Sequence, residues 1–171
     1  CFSRCLVIVC LCHLVVHAFM KICGFFCVGA VMHQTGKNYV SEIEGLGRKM
    51  PWVFGCFTVA AISLAGIPPF GGFISKWNLG TAALLSESPL GYAAMAVLLY
   101  SAFMTAIYMG TIVLRAWFPR KEQVLNFAEY EKDPGWKMKL PIIVFACIII
   151  ALGLFSKPLI NLIVNTAYGK F

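Results

Sequence analysis

The chain has 171 residues, of which 60% are hydrophobic and 12% charged, and its mean hydropathy is +0.83. A soluble domain carries about 25% charged residues, so this composition excludes an ordinary soluble domain and predicts an all-α, polytopic membrane protein. The net charge of +7 is concentrated in loops and termini, which is a topology signal rather than a nucleic-acid face, and no nucleic-acid partner is expected.

The chain opens on Cys1 and enters an apolar run almost at once, without the charge, short apolar core and cleavage site of a signal peptide. This suggests a fragment, or a product lacking its natural start. The first segment runs from about Leu6 to Met32, about 40 Å as a helix, so it must tilt or project beyond the hydrocarbon. Residues 35–50 form a polar loop with Lys37, Glu42, Glu44, Arg48 and Lys49. Pro51 is a good first helical residue and Trp52 an interfacial anchor for the second segment, which reaches about Ile67.

Gly66-Ile-Pro-Pro-Phe-Gly-Gly72 then interrupts the apolar pattern without introducing charge. Prolines remove backbone donors and glycines admit unusual torsions, so a helix break is expected there or over Lys76–Gly80. Backbone broken at membrane depth needs protein or a water-filled cavity to satisfy it, and transporters place ion sites at such breaks. A tight turn is the plainer alternative.

A short third segment, about Phe70–Ser86, contains Lys76. A fourth runs from about Leu90 to Phe118. A charged stretch to Lys139 has room for a surface helix over Gln123–Tyr130. The fifth runs from Pro141 to Phe155, pauses at Lys157-Pro158 and continues to about Val164. Five crossings, with the heavier Lys/Arg load on 119–139, place that loop and the N-terminal stub inside, and residues 35–50 and the C-terminus outside. A re-entrant hairpin of segments two and three would reduce the count to four.

His13, His17 and Lys21 stand at i, i+4 and i+8 in the first segment, within one narrow helix face. An ionisable group at bilayer depth costs at least about 2.5–3.5 kcal/mol, which marks these residues and Lys76 as candidates for function. Burial disfavours the charged form of an amine, so a lysine held there can alternate between ammonium and amine and pass a proton on. Histidine carries protons through either ring nitrogen. His13, His17, Lys21 and Lys76 are therefore the candidate proton path. The plainer readings are snorkelling lysines and histidines that hydrogen-bond neighbouring helices.

Ser101, Thr105 and Tyr108 give the fourth segment one polar face. They are candidate path-lining residues, although interhelical hydrogen bonding is the more ordinary use of such a stripe. His33, Arg115 and Lys157 read as interface anchors. The eight cysteines contain no C-x-x-C pair and are read as packing residues. His13 and His17 have the spacing of a metal pair, but nothing is well placed to complete a shell. No metal or cofactor is expected.

His13-x-x-x-His17-Ala-Phe-Met-Lys21, Gly29-Ala-Val, Thr35-Gly36, Gly45-Leu-Gly-Arg-Lys-Met-Pro51 and Ala65-Gly-Ile-Pro-Pro-Phe-Gly-Gly-Phe-Ile-Ser-Lys76 together resemble the proton-conducting antiporter-like family. That family comprises the large membrane-arm subunits of respiratory complex I, the membrane subunits of energy-conserving hydrogenases, and the A-type and D-type subunits of Mrp sodium/proton antiporters. The wording around Lys76 is nearer the Mrp and hydrogenase branches.

The resemblance implies that Lys21 is the central-axis lysine of the second half-channel, that His13 and His17 are its adjacent histidines, and that Lys76 is the lysine on the broken helix. It implies a single membrane domain over residues 1–171, supplying the last five of about fourteen helices. Residues 1–12 match the family poorly. The implied partners are other membrane subunits, the lipid bilayer, and protons or sodium. The implied setting is the prokaryotic plasma membrane, ahead of the inner mitochondrial membrane. This chain alone would catalyse nothing; it would belong to a redox-driven, ion-translocating complex. The rivals are a sodium/proton antiporter subunit and a non-conducting structural subunit.

Overall fold

The computed structural model describes residues 2–118, 133–155 and 161, with side chains from Val7 onward. Among the described residues five α-helices form, as expected: α1 (Phe2–Thr35), α2 (Pro51–Ala65), α3 (Gly71–Leu84), α4 (Pro89–Trp117) and α5 (Trp136–Leu154). Two short 3-10 turns, Val40–Ile43 and Leu46–Arg48, lie between α1 and α2. The surface helix expected over Gln123–Tyr130, the pause at Lys157-Pro158, the anchor role of Lys157 and the stretch to Val164 fall outside the described residues.

Among the described residues three helices are long and apolar enough to cross a bilayer alone: α1, α4 and α5. The other two are not. With 15 and 14 residues, α2 and α3 are each about 21–23 Å long, against a hydrocarbon core of about 30 Å. They solve this by running end to end along α1. Val53 shares a cavity wall with Val31, Ser63 bonds Met20, and Ser75 bonds His13. As the chain advances from 53 to 75, its partner on α1 retreats from 31 to 13. The pair is one discontinuous crossing, antiparallel to α1.

This corrects the orientation expected from five crossings. Asp133 accepts from the Trp52 and Val53 amides, both at 3.4 Å, and so caps the N-terminus of α2. Gly45 N–H donates to the Arg115 carbonyl at 2.9 Å. The 35–50 loop and the segment entering α5 therefore lie at the same end of the bundle. A count of apolar segments could not reveal this, because each half-helix counted as a crossing.

Between the long helices, packing rather than water exclusion supplies the attraction, so small residues mark the close approaches. Met20, Cys23, Cys27 and Ala30 of α1, Val53, Phe57 and Ala60 of α2, Ala116 of α4, and Ile142, Ala146 and Ile149 of α5 are buried together. Cys12, Cys23 and Cys27 are buried free thiols, consistent with packing, while Cys10 and Cys147 are exposed.

At the break, a Cβ on Gly72 would land on the Ser63 carbonyl, and one on Gly153 of α5 would fall 2.8 Å from both the Gly71 amide and the Phe70 Cα. The two sides of the break thus pack backbone to backbone at Gly72, and α5 packs backbone to backbone against the break at Gly153. The outer face of α4 carries exposed Val97, Tyr100, Phe103 and Ile107.

Candidate functional site

The break begins where α2 runs out of carbonyl partners. Gly66 takes φ 89°, a left-handed torsion that suits glycine. This turns the chain so that Gly66 N–H reaches the Ile62 and Ser63 carbonyls and Ile67 N–H reaches Ile62, the Schellman closure. Two of the last four carbonyls are thereby satisfied, while those of Leu64 and Ala65 face the break. Lys76 fills that position from the second turn of α3: its Nζ donates to Leu64 O at 2.7 Å and to Ala65 O at 3.3 Å. An ammonium at a helix C-terminus also meets the negative end of the helix dipole. Lys76 is therefore turned into the break rather than snorkelling away from it.

Ser63 ties the break to α1. Its Oγ donates to Met20 Sδ at 3.0 Å and accepts from Gly72 N–H at 3.3 Å. One turn further along α3, Ser75 Oγ donates to Gly72 O at 3.1 Å and lies 3.1 Å from His13 Nδ1. The His13 and His17 rings are tilted at 35° with centroids 5.7 Å apart. His17 is within electrostatic reach of both Lys21 and Lys76, and His13 within reach of His17 and Lys76. The Nδ1 atom of His17 is buried without a hydrogen-bond partner among the described residues. Lys21, one helical turn from His17, lines a cavity of about 170 Å³ with Met20, Phe57, Ala61, Leu64 and Tyr108.

His13, His17 and Lys76 therefore come together where α2 gives way to α3, and Lys21 lies one turn further along α1, on a cavity wall shared with Leu64 of α2. The group comprises two amines and two imidazoles, and no carboxylate pairs with them among the described residues. In chemical terms, this is a row of groups that can each hold or release a proton, with a helix end as one of the acceptors of hydrogen bonds.

The NADH:quinone oxidoreductase/Mrp antiporter transmembrane family model matches residues 5–105. The chain belongs to that family. It is 33% identical over 164 residues to NADH-quinone oxidoreductase subunit N of Desulforudis audaxviator, covering 91% of this chain and 32% of the relative. It is also 33% identical over 143 residues to the D-type subunit of the Na+/H+ antiporter of Alkalihalophilus pseudofirmus, covering 84% of this chain and 28% of the relative. The chain thus spans about a third of the length of the curated relatives it matches, and two branches of the family match at equal identity.

Among solved structures, the Mrp complex from Dietzia sp. aligns with a TM-score of 0.78 at 23% identity, covering 94% of this chain and 37% of that one. The membrane-bound sulfane sulfur reductase, an archaeal respiratory membrane complex, aligns with a TM-score of 0.73 at 26% identity, covering 86% and 23%.

The polar stripe of α4 divides. Tyr108 lines the Lys21 cavity. Thr105 directs its hydroxyl to the Ser101 carbonyl at 2.7 Å within its own helix, and Ser101 lines a separate cavity of about 600 Å³ between α3 and α4. His33 is exposed at the end of α1.

Several site residues were not singled out from sequence. Ser63 and Ser75 look like ordinary small residues in apolar helices; their signal was proximity in sequence to the break, on the helices at either side of it. Glu44 is 8% exposed and lies 3.9 Å from Arg115. The buried carboxylate among the described residues thus comes from the 35–50 loop, outside every apolar segment, and Arg115 has a partner besides the interface.

Proposed function

We propose that the chain forms the C-terminal half-channel of a proton-translocating membrane subunit and that protons pass along Lys21, His17, His13 and Lys76. The supporting observation is the position of His17, between two amines at the level of a helix break, with a buried ring nitrogen that has no partner among the described residues. Ionisable groups at such depth mark ion pathways, and the family supplies the class of process. The process moves an ion without covalent change, and any redox centre belongs to partner subunits. The setting is a multisubunit complex in a prokaryotic plasma membrane.

A second reading, sodium/proton antiport, is favoured by the Mrp-type relatives at the same identity as the oxidoreductase subunit. The test uses the intact complex in sealed vesicles, with Lys21→Ala and Lys76→Ala compared with the parent. Loss of proton pumping or antiport in assembled complex is expected for both variants. Full transport in both would mean a structural subunit that moves no ions. Dependence of transport on sodium separates the two conducting readings.

A further inference from the structure

The Ser75 hydroxyl has one proton and two partners at 3.1 Å: the Gly72 carbonyl within α3, which can only accept, and His13 Nδ1, which donates or accepts according to its tautomer. Both contacts are hydrogen bonds at once only when Oγ donates to the carbonyl and accepts from an Nδ1–H. In that arrangement neutral His13 is the Nδ1–H tautomer, with its lone pair on Nε2.

We propose that Ser75 is a positioning residue for the candidate proton path. It holds His13 in one tautomer and one orientation, so that His13 takes up and returns a proton through Nε2 alone. This rests on the proton-path reading above and adds to it the atom at which His13 exchanges its proton.

The argument follows the protons. Uptake at Nε2 gives an imidazolium whose Nδ1–H still donates to Ser75, so the contact survives in both charge states and the ring need not turn. Exit through Nδ1 is closed: a proton given to Ser75 would have to leave through its hydroxyl, which faces a carbonyl already accepting it, and a helix carbonyl is no proton carrier. His13 is thus a station with one door, unlike His17, whose Nδ1 has no partner among the described residues. The surroundings support this. Ser75 is 4% exposed, so water does not compete for Oγ. Among the described residues, the charged and titratable groups acting on His13 are His17 on its own helix and Lys76 from α3, and neither is a carboxylate that could take Ser75's place at Nδ1.

The test is 15N spectroscopy of histidine-labelled intact complex in lipid, with His13 assigned by the signal lost in His13→Gln, alongside vesicle transport. Neutral His13 is expected to be protonated at Nδ1 in the parent and in Ser75→Thr, and to revert in Ser75→Ala towards the mixture of a free imidazole. Transport by Ser75→Ala is expected to fall about tenfold, with Ser75→Thr restoring most of it, at unchanged assembly. A parent His13 protonated at Nε2, or a tautomer indifferent to Ser75→Ala, overturns the assignment. If the tautomer responds to Ser75 while His13→Gln transports normally, the hold of Ser75 on His13 stands and the proton-path reading falls instead.

Discussion

Replacing Lys76 with methionine keeps most of the side-chain length and removes the ammonium. The consequence can be worked out from the end of α2. Ile62 and Ser63 retain their Gly66 and Ile67 donors, but Leu64 O and Ala65 O lose Lys76 Nζ. A buried carbonyl left without a donor costs about 1–3 kcal/mol. Lys76 is only half-buried, so solvent can reach part of the site, and the low end applies to each carbonyl: about 2 kcal/mol in total, or about 30-fold in the opening equilibrium.

Hydrogen exchange of the Gly66 and Ile67 amides in the lipid-embedded complex reads that opening locally. We expect exchange about 30-fold faster in Lys76→Met, with Lys76→Arg close to the parent because a guanidinium can still donate to both carbonyls. Unchanged exchange in Lys76→Met would refute the capping role, whatever happens to transport. The measurement also separates two reasons for a dead transporter, a lost proton station and a collapsed helix break.

Gly72→Ala places a methyl on the Ser63 carbonyl and 3.1 Å from Met20 Sδ; overpacking of about 1–3 kcal/mol or more should reduce the amount of assembled complex, measured by native gel after membrane extraction. Asp133→Ala removes the side-chain acceptor at the start of α2 and should lower thermal stability by about 0.5–2 kcal/mol, while the transport rate per assembled complex stays at the parent level. Thr58→Val takes the acceptor from Trp117 Nε1, 3.1 Å away; fluorescence in Thr58→Val minus that in Thr58→Val/Trp117→Phe, set against parent minus Trp117→Phe, should show the Trp117 emission moving in a sense consistent with a lost hydrogen bond, at little change in the helix content of the complex.

The sequence by itself determined the solvent, the helices among the described residues and the ionisable residues that a site could use. Low charge and long apolar runs leave no other class, and glycine and proline at 66–72 interrupt the helix because one lacks a Cβ and the other a donor. The i, i+4, i+8 spacing of His13, His17 and Lys21 fixes a shared face wherever α1 is packed.

What sequence could not supply was everything that depends on which helix lies alongside. That α2 and α3 add up to a single crossing follows only from Ser63 meeting Met20 and Ser75 meeting His13, pairs 43 and 62 residues apart. Asp133 reaching back to Trp52 set the two loops on one side and overturned the charge-based orientation. Lys76 could be read as ionisable and buried, but its role at the end of α2 required knowing that two carbonyls there face the break. Local rules of spacing and torsion are written within a few residues. The satisfaction of a polar group inside a membrane is settled by whatever neighbour the packing brings to it.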